Sequence, residues 1–201
     1  MIGTSDATLA EGLAVNLDGH FEPLVLHYQD RLYGFALRLI GNPAEAEDCV
    51  QDAFVRAYRA LRRYPSERRR ALHLQAWLYR ITLNVVRNRV RGPRSAPVAL
   101  DGAVAERLAA PASEQPELAA ESAERRRDLA RRVAALPERY RAGVVLRHVQ
   151  GLAYAEVAAI LGQPVGTTKA NVHRGLRLLR AGLETTSDAP NAALVGGGNL
   201  A

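Results

Sequence analysis

Apolar residues recur at helical spacing in three stretches of the first half of the chain. The first runs from Phe21 to Ile40 and stops at Gly41-Asn42-Pro43, and the second runs from Pro43 to about Leu61. Pro43 suits the first turn of a helix, where its missing N–H is not needed. The third runs from about Leu74 to Val90 and ends at Gly92-Pro93. The pattern predicts three helices.

The rest of the chain contains one more patterned region, between segments that lack a period. Residues 1–18 are small, polar and aperiodic, and the Gly- and Ala-rich residues 185–201 follow the last helical pattern; both are expected to be disordered. Residues 92–122, rich in Ala, Pro, Ser and Glu, are typical of a linker. Because no strand-like alternation persists, the fold class is all-α, with helical domains at 19–91 and 123–184 joined by a flexible linker.

Within the second domain, the spacing predicts a helix-turn-helix. Tyr154 to Leu161 forms a short helix, Gly162-Gln163-Pro164 breaks it, and Gly166 to Leu183 starts again. The second helix separates an inward stripe from an outward face that can enter a DNA major groove. The stripe is Val172, Leu176 and Leu179, and the outward residues are Lys169, His173, Arg174 and Arg177.

Charge supports a polyanionic partner. The net charge is +6, and between Arg131 and Leu183 nine Lys or Arg residues stand against two acids, Glu138 and Glu156. Arginine and lysine supply most of the nonspecific affinity for nucleic acid. Charge alone does not exclude two alternatives, a soluble basic protein without a nucleic-acid partner and a surface helix with solvated arginines. With no 18-residue apolar run, the chain is expected to be soluble and cytoplasmic, without membrane insertion.

Two features of the second helix bear on metal binding and redox chemistry. Its first half carries the carboxylates Glu45, Glu47, Asp48 and Asp52, which complement a helix N-terminus. No His and no second carboxylate cluster accompanies them, so neither a metal nor a cofactor is predicted. The four carboxylates could instead serve solubility or form a face that docks on another protein. Cys49, the only cysteine, is expected to be a small buried apolar residue.

The third helix also separates two faces. Leu74, Leu78, Ile81 and Val85 point inward, and Arg80, Asn84, Arg87, Asn88 and Arg91 point outward. Arginines beside amides and the nearby aromatics Tyr64, Trp77 and Tyr79 suit single-stranded DNA, because charge, base edges and base faces can all be met. Alternatively, Trp77 fills space in the hydrophobic core and the arginines are only solvated.

The segment LPERYRAGVVLRHVQGLAYAEVAAILGQPVGTTKANVHRGLRLLR resembles region 4 of bacterial sigma factors, specifically the extracytoplasmic-function (ECF) group. The resemblance implies a minus-35 DNA-binding surface made of Thr167, Lys169, Ala170, His173, Arg174 and Arg177. The segment departs from the family at three positions: Ala153 stands where Ser or Thr commonly caps a helix, Thr168 replaces an apolar residue, and Ala170 replaces Ser. Loss of a cap costs about 1 kcal/mol.

The N-terminal half resembles region 2 of the same family. AEAEDCVQDAFVRAYRAL is similar to the part that docks on the β′ clamp helices of RNA polymerase, which implies that Asp48, Gln51 and Asp52 bind the core. LQAWLYRITLNVVRNRVRG resembles the part that binds and melts the minus-10 element, which implies Trp77, Arg80, Asn84, Arg87 and Asn88 as DNA-binding residues. RRYPSERRRALH, residues 62–73, corresponds to the loop that captures a flipped base.

The resemblance implies a non-catalytic sigma factor whose partners are promoter DNA, RNA polymerase core (β′ clamp helices and β flap) and an anti-sigma factor. A helix-turn-helix response regulator is the alternative, but it requires an α/β receiver domain, and an enzyme would need a nucleophile or a metal cluster. The family's two promoter elements lie about 25 base pairs, or about 85 Å, apart. A linker of about 30 residues reaches up to about 90 Å when extended, so we expect separated domains on DNA.

Overall fold

The computed structural model describes residues 5–91 and 128–187, with side chains to residue 181. Within these ranges every regular element is a helix, which confirms the all-α prediction. None of these helices is both long and apolar enough to cross a membrane. The linker predicted at 92–122 lies outside the described residues, as does most of the predicted C-terminal tail.

Five helices build the N-terminal domain: α1 (Asp6–Val15), α2 (Leu17–Ile40), α3 (Pro43–Arg63), α4 (Ser66–Arg70) and α5 (Leu74–Arg91). Helices α2, α3 and α5 pack against one another around a core that includes Leu32, Phe35 and Leu78. Gly41 ends α2 in the left-handed conformation with φ of 81°, which glycine adopts without strain. Asn42 then caps α3 by accepting a hydrogen bond from the Glu45 amide (3.2 Å).

The expectation of disorder over residues 1–18 is wrong for most of that segment. Ser5 caps α1 by accepting a hydrogen bond from the Thr8 amide (3.2 Å), and Leu9, Leu13 and Leu17 are buried. Leu9 and Leu13 are four residues apart and therefore share one face of α1, and Leu17 is the first residue of α2. Asn16 ends α1 and also begins α2, accepting from the Gly19 amide (3.1 Å). The apolar stripe is short, and α1 is ordered because α2 and α4 cover it.

The C-terminal domain comprises α6 (residues 128–135), α7 (Glu138–Val144), a π-helical turn (Val145–Val149), α8 (Tyr154–Leu161) and α9 (Val165–Ser187). Helices α8 and α9 form the helix-turn-helix predicted from the sequence. α9 continues through residues 185–187, which were expected to be disordered, because no Gly or Pro follows Leu183 until Pro190. Gly175 lets α9 approach α7, since a Cβ there would lie 2.6 Å from Val144 Cγ2.

The two domains pack directly against each other. Helix α5 contacts α8, and one apolar cluster contains buried residues of both domains, including Leu83 and Leu146. The Tyr79 hydroxyl donates to Gln150 Oε1 (2.6 Å) across this interface. Arg141 Nη1 donates to the Leu39 carbonyl (2.7 Å), one of the last carbonyls of α2, which has no partner within its own helix.

Candidate nucleic-acid and protein-docking surfaces

The residues predicted to bind the minus-35 element are all exposed on α9: Thr167, Lys169, Ala170, His173, Arg174 and Arg177. Thr168, Val172 and Gly175 of the same helix are buried against α7 and α8. At helical spacing, Ala170, His173, Arg174 and Arg177 lie opposite this buried stripe. They form a continuous outward ridge, with Thr167 and Lys169 on its flanks.

Lys169 lies against the first helix of the motif. Its Nζ lies 5.8 Å from the centroid of the Tyr154 ring, and the Arg147 guanidinium carbon lies 4.9 Å from the same centroid. Arg147 Nη1 is also held by the Leu152 carbonyl (2.9 Å). Tyr154 therefore brings two cations together at one flank of the ridge through cation–π contacts.

Two of the departures from the family have defined structural positions. Thr168 is fully buried, and its Oγ1 donates to the Pro164 carbonyl (3.1 Å). Ala153 is the N-cap residue of α8 and offers no side-chain acceptor, but Glu156 Oε2 accepts a hydrogen bond from the Ala153 amide (2.8 Å). Half of a capping box is thus retained. Thr168 therefore affects the packing of α9, and Ala153 affects the stability of α8. Neither residue belongs to the outward ridge.

On α5, the structure brings together four of the five residues predicted to bind the minus-10 element. Arg80, Asn84 and Asn88 are exposed at helical spacing on one face, and the half-buried Trp77 continues that face by one turn. Arg87 differs, because it is half-buried and lines a cavity of about 250 Å³ between the domains, which Glu138 and Arg141 also line. In this conformation Arg87 lies at the edge of the face that the other four share.

An aromatic and cationic stack lies beside this face. The Arg68 guanidinium carbon is 3.8 Å from the centroid of the Tyr64 ring, and the Tyr64 and Trp77 ring centroids are 6.2 Å apart. Tyr64 and Trp77 are half-buried, and Arg68 is exposed. The sequence showed an arginine-rich segment here but did not indicate which arginine meets the aromatics, because that depends on the turn made by α4.

The predicted core-binding residues lie along one side of α3. Asp48 pairs with Arg89 (2.8 Å), and Asp52 makes a two-pronged pair with Arg56 (3.0 and 2.9 Å). Both pairs are substantially exposed, so their ions remain available to a partner. Gln51 is exposed and lines a groove of about 490 Å³ between α2 and α3.

Sequence reasoning missed the α2 side of this groove. Asp30 and Tyr33 of α2 face Glu47 and Phe54 of α3 across it. The helical pattern of α2 could have located them, since both fall between the buried positions of that helix. The groove carries an apolar floor and carboxylates at its rim, which suits a protein partner with basic residues.

No group of three or more His, Cys, Asp or Glu side chains within residues 5–91 and 128–181 could hold a metal ion. Cys49 is 1% exposed, and burial raises the pKa of its thiol. As predicted, it is a small buried residue of the α3 core face.

Comparison with known proteins identifies the two domains. Residues 24–95 match the family model "Sigma-70 region 2", and residues 126–179 match "Sigma-70, region 4". The ECF RNA polymerase sigma factor SigW of Bacillus subtilis is 34% identical over 167 residues, covering 80% of this chain and 87% of the relative. The ECF RNA polymerase sigma-E factor of Escherichia coli K12 is 31% identical over 176 residues, covering 85% and 90%.

Solved structures agree with these matches. CnrH, in complex with the cytosolic domain of CnrY, superposes with a TM-score of 0.65 at 26% identity, covering 90% of this chain and 97% of that one. The sigma factor RpoE of Bartonella quintana, in complex with the anti-sigma factor NepR, superposes with a TM-score of 0.61 at 24% identity, covering 82% and 96%, and shares the fold. The chain belongs to the ECF group of sigma-70 family RNA polymerase sigma factors.

Proposed function

We propose that this sigma factor binds RNA polymerase core, directs it to promoters through a minus-35 and a minus-10 element, and helps to melt the DNA. The observation that carries the proposal is a pair of separate exposed faces, each suited to a different form of DNA. The α9 ridge projects His173, Arg174 and Arg177 from a helix-turn-helix, the geometry of a major-groove reader. The α5 face carries Arg80, Asn84 and Asn88 beside aromatic rings, a combination that suits unpaired bases.

Core binding belongs to the acidic side of α3 and the groove beside it. Asp48, Gln51 and Asp52 are the residues that we assign to the β′ clamp helices, and the C-terminal domain would meet the β flap. The exposed ion pairs of Asp48 and Asp52 are each worth about 0–1 kcal/mol, so exchanging their arginines for those of a partner costs little. A basic partner surface can therefore compete for both carboxylates.

An anti-sigma factor is the remaining proposed partner. The RpoE structure from Bartonella quintana contains the anti-sigma factor NepR, and this chain shares its fold. The domains of our chain are already packed together, and a partner that stabilised this arrangement would keep the two DNA-binding faces from reaching separated promoter elements. Co-purification of a partner that abolishes promoter-specific transcription would support this assignment, and full activity in the presence of every co-purifying protein would refute it.

Reconstitution tests the proposed function directly. Core polymerase from the same bacterium, supplied with this chain and fragmented genomic DNA, should start transcripts at discrete sites that core alone does not use. Mapping the 5′ ends of the transcripts would also define the two promoter elements. Transcription indistinguishable from that of core alone would refute the proposal.

The core-binding face has its own test. Asp48→Arg and Asp52→Arg, singly and together, should weaken core binding by about tenfold or more, because each change replaces an attraction with a repulsion at a docking surface. Duplex binding by the C-terminal domain should not change. Glu22→Arg, an equal charge change at an exposed position of α2, is the matched control. Core affinity that falls equally in the control and in the α3 variants would refute the assigned face.

A further inference from the structure

Helix α1 holds the segment between α3 and α5 in place. This segment, residues 64–73, contains the short helix α4, whose side chains are all at least partly exposed. A five-residue helix without a buried side chain has no core of its own, and an isolated helix of that length is unstable in water. Its main packing partner is α1. The segment matched by the region 2 family model begins at residue 24, after α1 has ended.

Arg69 joins three helices. Its Nε donates to the Leu61 carbonyl (2.9 Å) in the last turn of α3, and its Nη1 donates to the Leu13 carbonyl (3.3 Å) in the last turn of α1. Both carbonyls lie at helix C-termini, where the helix dipole favours a cation, and the Leu61 carbonyl also accepts a hydrogen bond from the Tyr64 amide (3.1 Å). Arg69 therefore fixes α4 to the ends of two longer helices.

Arg70 and Asp6 add two further points of attachment. Arg70 makes a two-pronged ion pair with Glu11 of α1, with distances of 2.6 and 3.0 Å, and this contact lowers the pKa of the Glu11 carboxyl. At the other end of the segment, Asp6 Oδ2 accepts a hydrogen bond from the Gln75 amide (3.2 Å) in the first turn of α5. The other Asp6 oxygen accepts from the buried Tyr28 hydroxyl.

The charge of the segment explains why it needs these contacts with α1. The segment contains Arg68, Arg69 and Arg70 and one acid, Glu67, and it directly follows two further arginines at the end of α3, so like charges crowd together there. Glu11 supplies a negative charge from outside the segment and forms an ion pair with Arg70. Arg69 donates its hydrogen bonds to carbonyls, so Arg68 is the arginine that stacks on Tyr64 at the surface. The three consecutive arginines thus have three different partners, and only Arg68 faces the aromatic stack.

We propose that α1 is a positioning element for single-stranded DNA, with Glu11 and Asp6 as positioning residues that hold segment 64–73 in the shape that presents the Tyr64–Arg68–Trp77 stack to an unpaired base. The inference rests on the proposed function, because it assigns a task to α1 within minus-10 binding. An exposed ion pair contributes little to global stability. Its effect should instead appear as order in the segment and as affinity for DNA that the segment contacts.

The test uses holoenzyme and a fluorescein-labelled single strand of about 12 nucleotides, within the usual site size for such surfaces, selected from a random pool by the wild-type holoenzyme. Glu11→Gln should bind this strand about three- to tenfold more weakly, because the segment must then be ordered on binding. Glu22→Gln on α2 is the control and should bind like the wild type. Core affinity and duplex minus-35 binding should be equal in all three proteins.

A charge swap separates positioning from direct contact. Glu11→Arg combined with Arg70→Glu rebuilds the pair in reverse and should recover most of the lost affinity. A loss that the swap does not recover would overturn the positioning role, since Arg70 would then act on DNA itself. Equal or tighter binding by Glu11→Gln would also overturn it.

Hydrogen exchange provides a readout that needs no DNA. The amides of residues 64–73 should exchange faster in Glu11→Gln and in Asp6→Asn than in the wild type, while those of α2 and α3 keep their protection. Unchanged exchange in this segment would overturn the inference. If the wild-type holoenzyme selects no single strand at all, the failure lies in the proposed minus-10 function, whereas selection by the wild type with no effect of Glu11→Gln refutes only the role of α1.

Discussion

The cations of the helix-turn-helix fall into two groups at the scale of single residues. Arg174 and Arg177 stand on the outward ridge of α9, where a side chain can reach base edges in a major groove. Lys169 lies at the flank, with its ammonium 5.8 Å from the Tyr154 ring and near Arg147. We infer that Lys169 contacts the phosphate backbone and not a base edge, and phosphate contacts position a protein but carry no sequence information.

We therefore expect different consequences from removing each cation. Arg174→Ala should weaken binding to the preferred minus-35 duplex by about 1 to 3 kcal/mol and relax specificity at one base pair. Lys169→Ala should weaken binding to all duplexes by a similar factor and should reduce the salt dependence by about one phosphate contact. Fluorescence anisotropy on preferred and scrambled duplexes, at several salt concentrations, measures both effects.

Arg139→Ala is the control for this pair of variants. Arg139 is exposed on α7, and its guanidinium carbon lies 4.6 Å from the Tyr140 ring centroid, away from the ridge. Its removal changes the net charge equally and should have little effect on duplex binding. A loss for Arg174→Ala that is the same on preferred and scrambled duplexes would place Arg174 on phosphate.

Residue-scale reasoning from sequence succeeded where helical spacing decides exposure. Lys169, His173, Arg174 and Arg177 are exposed, as the spacing predicted, because they avoid the inward stripe that contains Val172; Thr167 and Ala170 were assigned from the family resemblance. Thr168 lies four residues before Val172, on the same stripe, but its residue type does not predict its burial, since threonine is usually found at the surface. Helical spacing could not show that Arg87 lies beside the other domain, because the packing of two domains leaves no periodic signal within one helix.

At the scale of elements, the start of α3 and the end of α8 follow from local chemistry. Pro43 and Gly162 mark these two boundaries in the sequence, and the structure has both. Helix α1 escaped prediction because it is only ten residues long and its order depends on partners distant in sequence. Arg69, Arg70 and Tyr28 supply those contacts.

Helix α8 has a correctable weakness at its N-cap residue, Ala153. Ala153 has φ of −65° and ψ of 151°, an extended conformation suited to a capping side chain, but it has no oxygen to accept a hydrogen bond. Ala153→Ser should therefore increase the free energy of unfolding by about 1 kcal/mol, because serine would complete the capping box with Glu156. Urea unfolding followed by circular dichroism measures the change.

Ala159→Ser is the matched control for the cap. Ala159 is exposed in the interior of the same helix, where serine has a lower helix propensity than alanine and makes no cap. This variant should be slightly less stable than the wild type. A gain of stability in both serine variants, or in neither, would contradict the assignment of Ala153 as the missing cap.

At the scale of the whole molecule, the packed domains and the proposed DNA binding make opposite demands. Elements about 85 Å apart on duplex DNA cannot both be reached while α5 contacts α8. Opening the interface exposes Tyr79, Leu83 and neighbouring apolar surface, and it breaks the hydrogen bond from Tyr79 to Gln150. Burial raises the pKa of Tyr79 to about 12, so its hydroxyl remains a donor at neutral pH. The described arrangement is thus a closed state with a defined set of restraints.

The hydrogen bond from Arg141 to Leu39 is a restraint between the domains that a single substitution can test. Arg141 Nη1 satisfies the Leu39 carbonyl of the N-terminal domain, while its other nitrogens bind the Leu136 carbonyl within its own domain (3.2 and 2.8 Å). Arg141→Met keeps much of the side-chain volume and removes every side-chain donor, which leaves the Leu39 carbonyl without its hydrogen bond unless water replaces the arginine. The variant should populate open states, and small-angle scattering should show a larger radius of gyration than for the wild type.

Arg139→Met, two residues away on the same helix, controls for the loss of a charge, since Arg139 stacks on Tyr140 of its own domain. Its scattering should match that of the wild type. Arg141→Met should also associate with core polymerase faster than the wild type, because binding that must wait for domain opening is slowed by the fraction of closed molecules. Equal radii and equal association rates for Arg141→Met and Arg139→Met would show that the Arg141 contact does not hold the domains together, and the closure would then rest on the apolar contacts of α5 with α8.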